Sequence, residues 1–433
     1  MTQAKDSRVM QSLAEEVADS LKIGDHLRHD RQLLRSMLGL VTLVMILLRR
    51  PKIIQRLTTD VTLVISNPVA HGSRFAGAVL EALTNMRVDA LGDRRLAQGP
   101  ILREMSHFPS LTARSLNGSV NWGMLAYAIR IRKRAALVQR DYPTLTRLYL
   151  ETLFLLQAIR YCLAENRVRE LPANHLWIFD FDRHAYCRPL VWWANTAGRA
   201  TVTLVHGSPN MNYLPPLAGS ILVWGATQMS WFREASPTTR THPVGRPEFG
   251  LSFPPCPPRT LRIMHSLEKL TNGERGALLQ VCEAARQLGM EVSLRLHPSA
   301  VESQLDPVWK GILQQCTLED NSLGLLESFD GGDVILGITS TAVVDALACG
   351  LPAWTLADDD RELPCDLEAL RQAKASLHAE VFGTGSDTPG GQRGLETLAA
   401  IRSTVIRATN GESALLIQDS LAKILRQMYL EAK

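Results

Sequence analysis

The stretch VILGITSTAVVDALACGLPAWTL, residues 334–356, carries the pattern that decides the fold class. The apolar, β-branched run Val334–Leu336 predicts a buried strand, and a helix is predicted over Ala342–Cys349. Gly350 is the residue type that commonly ends a helix, and Ala353–Leu356 predicts the next strand. A strand, a helix and a strand in this succession are typical of a βαβ unit in a parallel sheet.

The same alternation recurs along the chain. Further apolar strands are predicted at Asp60–Asn67, Leu176–Phe181, Thr201–Val205, Ser220–Trp224, Leu261–Met264 and Glu291–Leu296. Residues 100–170, rich in Leu, Ala and Arg, are predicted to be mostly helical. We therefore expect an α/β fold with two Rossmann-like, doubly wound domains that face each other across a cleft, after a helical N-terminal extension.

A proline-rich stretch, PVGRPEFGLSFPPCPP at Pro243–Pro258, marks the clearest boundary in the chain, because proline continues neither a helix nor a central strand. It divides the chain into four predicted segments. These are a helical N-terminal region (1–58), an acceptor domain (59–250), a linker (251–258) and a nucleotide-donor domain with closing C-terminal helices (259–433).

The composition is that of an ordinary globular protein. The 433 residues are 45% hydrophobic and 21% charged, which excludes a disordered chain and a polytopic membrane protein. The net charge of +4 does not indicate a nucleic-acid partner. Seven scattered cysteines without a CxxC pair are typical of reduced thiols. With a polar N-terminus that shows no secretory signal, they predict a cytoplasmic location.

One apolar stretch, Met37–Leu48, is too short to span a bilayer, which needs about 20 residues. Basic residues flank it at Arg31, Arg35, Arg49, Arg50 and Lys52. Two interpretations stay open. The stretch is either a buried core helix or an interfacial segment that holds the protein against an anionic surface such as the inner membrane.

Polar residues directly after predicted strands are the candidates for chemistry, because parallel strands end at the cleft. His206 follows the strand Thr201–Val205 and predicts a general base, since imidazole titrates near neutral pH; a structural strand cap is the alternative. Asp180 and Asp182 are the competing catalytic carboxylates, or else structural partners of nearby arginines. The loop after the first strand offers candidate acceptor-binding residues at Asn67, His71 and Arg74.

Two further clusters predict donor binding. Arg295 and His297 end one strand on the same side, where they could bind phosphate oxygens, or His297 could be structural. At the helix start, hydroxyls and free N–H groups bind phosphate, although Ser and Thr are also ordinary helix caps. The hydroxyl residues are Thr339, Ser340 and Thr341. Asp345, one turn into the helix, is predicted to face the cleft and accept ribose hydroxyls.

Absent motifs narrow the reaction classes. The chain has neither a G-x-x-x-x-G-K-[ST] loop nor a G-x-G-x-x-G fingerprint, which weakens ATPase and dehydrogenase functions. We predict no metal site and no resident cofactor. Asp180 and Asp182 have the spacing of a metal-binding D-x-D pair, but they stand in a two-domain context.

The order of these motifs resembles one family. The motifs are His206-Gly207, Trp224-Gly225, VGRPEF at 244–249, His297-Pro298 and Ser340-Thr341. They resemble bacterial GT-B type transferases of surface polysaccharide assembly, including capsule sialyl- and Kdo-transferases and teichoic-acid glycerophosphotransferases. The resemblance covers roughly Leu176–Leu356. It implies that His297, Ser340 and Thr341 bind the nucleotide phosphate, that Asp345 meets the ribose, and that His206 is the base.

The expected function is a metal-independent, inverting glycosyltransferase of surface polysaccharide synthesis. It would move a sugar from a nucleotide-activated donor of the CMP/CDP or UDP type to a glycan or lipid-linked acceptor. The alternatives are a CDP-polyol phosphotransferase, a nucleotide-sugar epimerase on the same fold, and a non-catalytic glycan- or nucleotide-binding protein.

Overall fold

The structure, a computed structural model, describes most of the chain. The described residues are 2–22, 29–48, 59–66, 79–83, 86–92, 111–115, 120–172, 175–205, 207–245, 253, 258–287, 289–297, 300, 302, 305, 307–321, 323–368 and 417–431. They form two separate sheets of parallel strands, with seven and five strands respectively. The predicted α/β class with two parallel sheets and flanking helices is confirmed.

The first sheet has the strand order β3-β2-β1-β4-β5-β6-β7. Its strands are β1 (Val61–Ile65), β2 (Val88–Gly92), β3 (Leu111–Ser115), β4 (Leu176–Phe179), β5 (Ala200–Leu204), β6 (Ser220–Val223) and β7 (Arg240–Pro243). The chain reverses its direction of travel between β1 and β4, which pair directly with Val61 opposite Leu176. That pair of strands is the topological switch point of the sheet.

The second sheet has the strand order β10-β9-β8-β11-β12. Its strands are β8 (Thr260–Met264), β9 (Glu291–Arg295), β10 (Thr317–Leu318), β11 (Asp333–Gly337) and β12 (Ala353–Thr355). Here β8 and β11 are the central pair, with Leu261 opposite Val334, and they define the second switch point.

Helices surround both sheets. Those described are α1 (Thr2–Lys22), α2 (His29–Leu47), α3 (Trp122–Arg132), α4 (Ala135–Gln139), α5 (Arg147–Glu170), α6 (Arg188–Thr196), α7 (Ala226–Ala235), α8 (Asn272–Gln287), α9 (Pro307–Leu313), α10 (Ala342–Ala348) and α11 (Ile417–Glu431). Among the described residues, no helix combines the length and apolar character that crossing a membrane requires.

A helical layer around α5 precedes the later strands of the first sheet. Val9 and Leu13 of α1 are buried in one apolar cluster with Ile131 of α3 and with Phe154 and Tyr161 of α5. The predicted helical N-terminal region is therefore anchored on a later helix rather than standing alone.

Among the described strands, four were not predicted: the two-residue β10 (TL), which pairs with β9, and three longer ones, β2 (VDALG), β3 (LTARS) and β7 (RTHP). The prediction that residues 100–170 are mostly helical is wrong at Leu111–Ser115. The three longer segments contain Asp, Arg, Gly or Pro and lack a continuous apolar run. They become strands by pairing with β1 or β6 or with each other, which is a contact between distant segments and leaves little local pattern.

The C-terminal helix packs on the first sheet and not on the second. Leu425 and Met428 of α11 lie in the apolar cluster that contains Val61 and Leu63 of β1. The Tyr429 hydroxyl also donates a 2.8 Å hydrogen bond to Asp60. The apolar face of α11 thus covers the first sheet, while the predicted bounds of the donor domain, 259–433, stay a prediction.

Candidate functional site at the carboxyl ends of the strands

The second switch point brings together the residues that follow β8 and β11. His265 and Ser266 come directly after β8 and are buried, while Thr339, Ser340 and Thr341 follow β11 and are half-buried. Ligands of doubly wound sheets bind at this edge, beside the switch point. The predicted hydroxyl cluster therefore lies where the fold places a ligand.

The turn from β11 into α10 is tightly packed. A Cβ atom on Gly337 would lie 2.7 Å from Cγ2 of Val343, so the strand can end this close to the helix only with glycine. The backbone carbonyls of Ser340 and Thr341 accept the first hydrogen bonds of the helix, from Val343 at 3.2 Å and Val344 at 3.0 Å. This geometry fixes the two hydroxyl residues at the helix start.

His297 follows β9, next to β8, and its side chain is half-buried. Burial lowers the pKa of the His297 imidazole below its ordinary value. Without a ligand, burial therefore favours the neutral form of the ring, whose N–H can donate a hydrogen bond.

Arg295 has its partners within the part of the protein that contains the second sheet, called the second unit below. The part that contains the first sheet is called the first unit. Its guanidinium donates a 2.6 Å hydrogen bond to the carbonyl of Leu323 and lies 3.6 Å from the Glu319 carboxylate. Burial lowers the pKa of Arg295, although the charge of Glu319 acts in the opposite direction. Arg295 therefore has internal partners in this structure, and its contact with a ligand phosphate stays a prediction.

That ion pair belongs to a larger buried network. Arg262 on β8 bonds Glu319 through two nitrogens and also lies 2.7 Å from Asp333 on β11. Burial raises the pKa of Glu319, but hydrogen bonds from Arg262 and Ser293 outweigh it and hold the pKa below its ordinary value. The network ties three strands to the segment after β10, so its role is structural.

Asp345 is also more enclosed than predicted. Only 2% of the residue is exposed, and it lies on α10 among the buried Val343, Val344, Ala346 and Leu347. Asp345 is thus nearly fully buried in this structure, because most of α10 is packed into the protein, and its contact with a ribose stays a prediction.

At the first switch point, Asp180 closes the gap between β1 and β4. Its carboxylate accepts hydrogen bonds from the Ser66 amide at 2.8 Å, the Ser66 hydroxyl at 3.0 Å and the Phe181 amide at 2.8 Å. The side chain is 2% exposed. The carboxylate thus binds the protein's own backbone and the Ser66 hydroxyl, whereas the structural alternative predicted for it was a pair with a nearby arginine.

Asp182 has the same character. Its carboxylate accepts hydrogen bonds from the amides of Leu217 at 2.6 Å and Ala218 at 2.8 Å. Burial raises the pKa of Asp182, against the lowering effect of these two hydrogen bonds. The residue holds the loop before β6, and its burial separates it from an acceptor in the cleft.

Four candidate residues lie outside the described residues: His206, Asn67, His71 and Arg74. The neighbours of His206 are described. Val205 is buried, and a Cβ atom on Gly207 would lie 3.8 Å from Cγ2 of Thr341. The turn after β5 thus comes within contact distance of the start of α10, in the other unit.

Hydrogen bonds join the two units next to this approach. The Ser208 hydroxyl accepts a bond from the Asp366 amide at 3.0 Å, and the Cys365 amide donates to the Pro209 carbonyl at 3.0 Å. Gln228 on α7 donates to the Asp366 carboxylate at 2.8 Å. The turn after β5 is consequently held against the segment that follows β12.

Comparisons with solved structures return distant likenesses. The chain is similar to the GtfA/B complex (12% identity, 62% of this chain, 61% of that chain, TM-score 0.39). It is also similar to a ugt transferase from Siraitia grosvenorii in complex with UDP (12%, 85% of this chain, 99% of that chain, 0.48). A third is α,α-trehalose 6-phosphate synthase from Burkholderia multivorans (10%, 87% and 100%, 0.49). The chain thus spans about three fifths of the first structure's length and nearly all of the other two. No family model and no curated protein matches it.

His184, which was not predicted as a site residue, lies in the loop after β4. Its ring stacks on that of Tyr186 at 5.6 Å, and its Nδ1 accepts a 3.4 Å hydrogen bond from the Tyr186 amide. The half-buried side chain stands near the carboxyl edge of the first sheet. The available signal was its place in FDFDRH, directly after an apolar strand.

Metal ions bind in proteins to groups of His, Cys, Asp or Glu side chains. Within the part of the chain that the structure describes, no three His, Cys, Asp or Glu side chains are grouped so as to hold a metal ion. Asp180 and Asp182 in particular direct their oxygens to backbone amides.

Proposed function

We propose that the chain is a nucleotide-sugar-dependent glycosyltransferase whose donor phosphates bind at the start of α10. The observation that carries the proposal is the approach of Gly207 to Thr341. It brings the turn next to His206 against the hydroxyl cluster at the second switch point. A transferase needs a base and a leaving-group site within reach of one sugar, and this approach supports drawing the two from different units.

On the donor side, Thr339, Ser340 and Thr341 offer hydroxyl groups to phosphate oxygens, and His297 adds a neutral imidazole. Negative charge grows on the nucleotide phosphate as the bond to the sugar breaks. Prearranged hydrogen-bond donors stabilise that charge in the transition state, so the reaction runs without a metal. Arg295 and Asp345 are left out of this proposal because both are enclosed by the protein.

On the acceptor side, His206 removes the proton from the attacking hydroxyl. Asp180 and Asp182 do not compete for this role in the proposal, because their oxygens hold backbone amides and both are nearly fully buried. Direct attack by the activated hydroxyl on the donor sugar gives inversion at the transferred carbon. Asn67, His71 and Arg74 are proposed to orient the acceptor.

The finer assignments rest on the order of motifs along the chain. We infer a donor of the CMP/CDP or UDP type, an acceptor that is a glycan or a lipid-linked sugar, and a place in bacterial surface polysaccharide synthesis. The absence of a G-x-x-x-x-G-K-[ST] loop and of a G-x-G-x-x-G fingerprint from the sequence supports a sugar nucleotide over ATP or a dinucleotide.

The first test is a thermal-shift screen of the whole chain with CMP, CDP, UDP, GDP and dTDP. A nucleotide that binds only the folded state raises the melting temperature, so one base should stand out at concentrations well above its Kd. Donors carrying that nucleotide are then incubated with and without acceptor glycans, in the presence of EDTA. Transfer that needs the acceptor and survives EDTA supports the proposal.

The alternatives give different products. An epimerase converts the donor alone into a new sugar nucleotide, and a CDP-polyol phosphotransferase leaves a phosphodiester in the product. Nucleotide binding without turnover on any acceptor indicates a binding protein. Turnover lost with EDTA and restored by Mg²⁺ or Mn²⁺ would overturn the metal-independent mechanism.

A further inference from the structure

Helix α2 turns its polar side to the protein and its apolar side outward. The Gln32 side chain donates to the Thr144 carbonyl at 3.1 Å and accepts from the Thr146 amide at 2.7 Å. Ser36 is fully buried, and a Cβ atom on Gly39 would lie 2.6 Å from Cγ2 of Thr152. A helix on the surface of a globular protein shows the opposite arrangement.

Nine large apolar side chains of this helix and its last turn are between 37% and 74% exposed. They are Leu33, Leu34, Met37, Leu38, Leu40, Val41, Val44, Met45 and Leu48. At 3.6 residues per turn they cover about 160° of the helix circumference. The seam that one partner helix covers is narrower than this, whereas an apolar medium contacts the whole stripe.

The charges around the stripe are mostly positive, and the acidic residue nearest to it in the sequence is Asp30, in the first turn of α2. Between residues 31 and 59 the sequence has six basic residues and no acidic one. The basic residues are Arg31, Arg35, Arg49, Arg50, Lys52 and Arg56. Basic residues next to an apolar helical face complement anionic lipid headgroups, which attract each Lys or Arg near the surface by about 1 kcal/mol.

We propose that α2 lies in the plane of an anionic bilayer surface, with its apolar stripe among the acyl chains. The basic residues that flank the stripe in the sequence would add attraction to anionic headgroups. The occupant of this face is thus a lipid surface, and the protein is peripheral. The buried contacts of Gln32 and Gly39 with α5 fix the helix to the protein, so the stripe is presented rigidly. This inference stands without the proposed transferase activity.

One consequence rests on the proposed function. Helix α2 packs on α5, which belongs to the predicted acceptor domain. A transferase held at a bilayer through α2 meets acceptors anchored in the same bilayer at raised local concentration. Of the two acceptor classes, α2 therefore favours the lipid-linked sugar over a free glycan.

The test is flotation of the whole chain with vesicles, without any nucleotide. Vesicles of phosphatidylcholine alone are compared with vesicles that also contain phosphatidylglycerol. We expect the chain to float with the anionic vesicles, and to float less as salt is raised, because the Debye length shrinks from about 10 Å at 0.1 M to about 3 Å at 1 M.

The variant Leu34→Glu/Val41→Glu places two charges at the centre of the stripe. Vesicle binding should weaken by at least about tenfold, since two apolar side chains no longer leave water. The matched control is Leu323→Glu/Leu430→Glu, which changes two leucines that are 55% and 64% exposed elsewhere in the structure. The control should float like the unchanged chain, and circular dichroism should give both variants the same folded spectrum.

Several results would overturn the proposal. One is that the chain floats with neither kind of vesicle. Another is that the stripe variant floats as well as the control. A third is that the chain binds no vesicles and instead forms a dimer without lipid. If the stripe variant is then monomeric while the control still dimerises, the face binds a second copy of the chain. Nucleotide binding is measured separately by thermal shift, so its failure would remove the proposed function and leave the membrane result intact.

Discussion

The side-chain amide of Gln228 donates a 2.8 Å hydrogen bond to the carboxylate of Asp366, and both side chains are fully buried. Gln228 lies on α7 of the first unit, while Asp366 follows β12 of the second. The Gln228 carbonyl oxygen also accepts from the Trp224 amide at 2.8 Å. One polar side chain therefore couples the end of β6 to the other unit.

Replacing Asp366 by Ala should destabilise the folded chain by about 1–3 kcal/mol, because the buried Gln228 amide loses its acceptor. Asp366→Asn is the matched control, since its amide oxygen can still accept this bond. Urea unfolding of the three proteins measures the free energies. Equal losses in the two variants would show that the carboxylate charge, and not the acceptor, is what matters.

The contact between Gly207 and Thr341 predicts a size limit. A single Cβ at Gly207 would lie 3.8 Å from Thr341 Cγ2, an ordinary contact, so Gly207→Ala should keep transfer activity. Gly207→Phe should push the turn and the helix start apart, and a misplacement of about 1 Å can lower turnover about 100-fold. The kcat of each variant checks this. Full activity of the Gly207→Phe variant would mean that catalysis does not need the contact between the turn after β5 and the start of α10.

The fold was predictable where its pattern is local. Residues 334–356 show their strand, helix and strand in their own spacing, and the structure has β11, α10 and β12 there. The site was less predictable because it depends on distant partners. The Asp180 carboxylate accepts a hydrogen bond from Ser66, 114 residues away, and the Arg295 guanidinium donates one to the Leu323 carbonyl. Residue type and position after a strand cannot distinguish a polar group that faces a ligand from one that faces its own chain.

His297→Ala should weaken binding of the preferred nucleotide by roughly 1.5–3 kcal/mol, the range for a hydrogen bond to a charged group. Titration calorimetry measures this loss of affinity. An affinity equal to that of the unchanged chain, in a folded variant, would remove His297 from the phosphate site.

His175 predicts an acid-dependent loss of stability. It is buried at the start of β4, with Nδ1 3.0 Å from the Thr59 carbonyl and Nε2 2.7 Å from the Thr62 hydroxyl. Burial lowers the pKa of His175 to about 4, below the 6.5 expected when unfolded. The unfolded chain therefore binds the proton first as pH falls, so stability rises with pH across this window.

Between pH 6.5 and 4 the free energy of unfolding should fall by on the order of 3 kcal/mol from this group alone. Urea unfolding followed by tryptophan fluorescence measures it, since Trp177 lies 5.5 Å from the His175 ring. In His175→Gln the side chain no longer titrates, so the variant should lose less stability than the unchanged chain across that range. Parallel curves for the two proteins would contradict the assignment.

His206→Ala should lower turnover by about 10²–10⁴-fold, the usual contribution of a general base, while nucleotide affinity stays nearly unchanged. A fall in turnover without a change in nucleotide affinity distinguishes a base from a nucleotide-binding residue. His175→Gln is the control, because it changes another histidine of the first unit, at the amino end of β4 and away from the carboxyl edge, and should leave most of the turnover.

The pH profile gives an independent check on the same residue. A histidine base predicts a rising limb of kcat near pH 6.5, and a solvated carboxylate one near pH 4–5. Burial raises the pKa of Asp182, so an aspartate base there could imitate the histidine limb, and the variants must decide. If His206→Ala keeps full turnover while Asp182→Asn abolishes it and still unfolds at the same urea concentration, Asp182 is the base. The loop it holds through Leu217 and Ala218 would then have to open during catalysis.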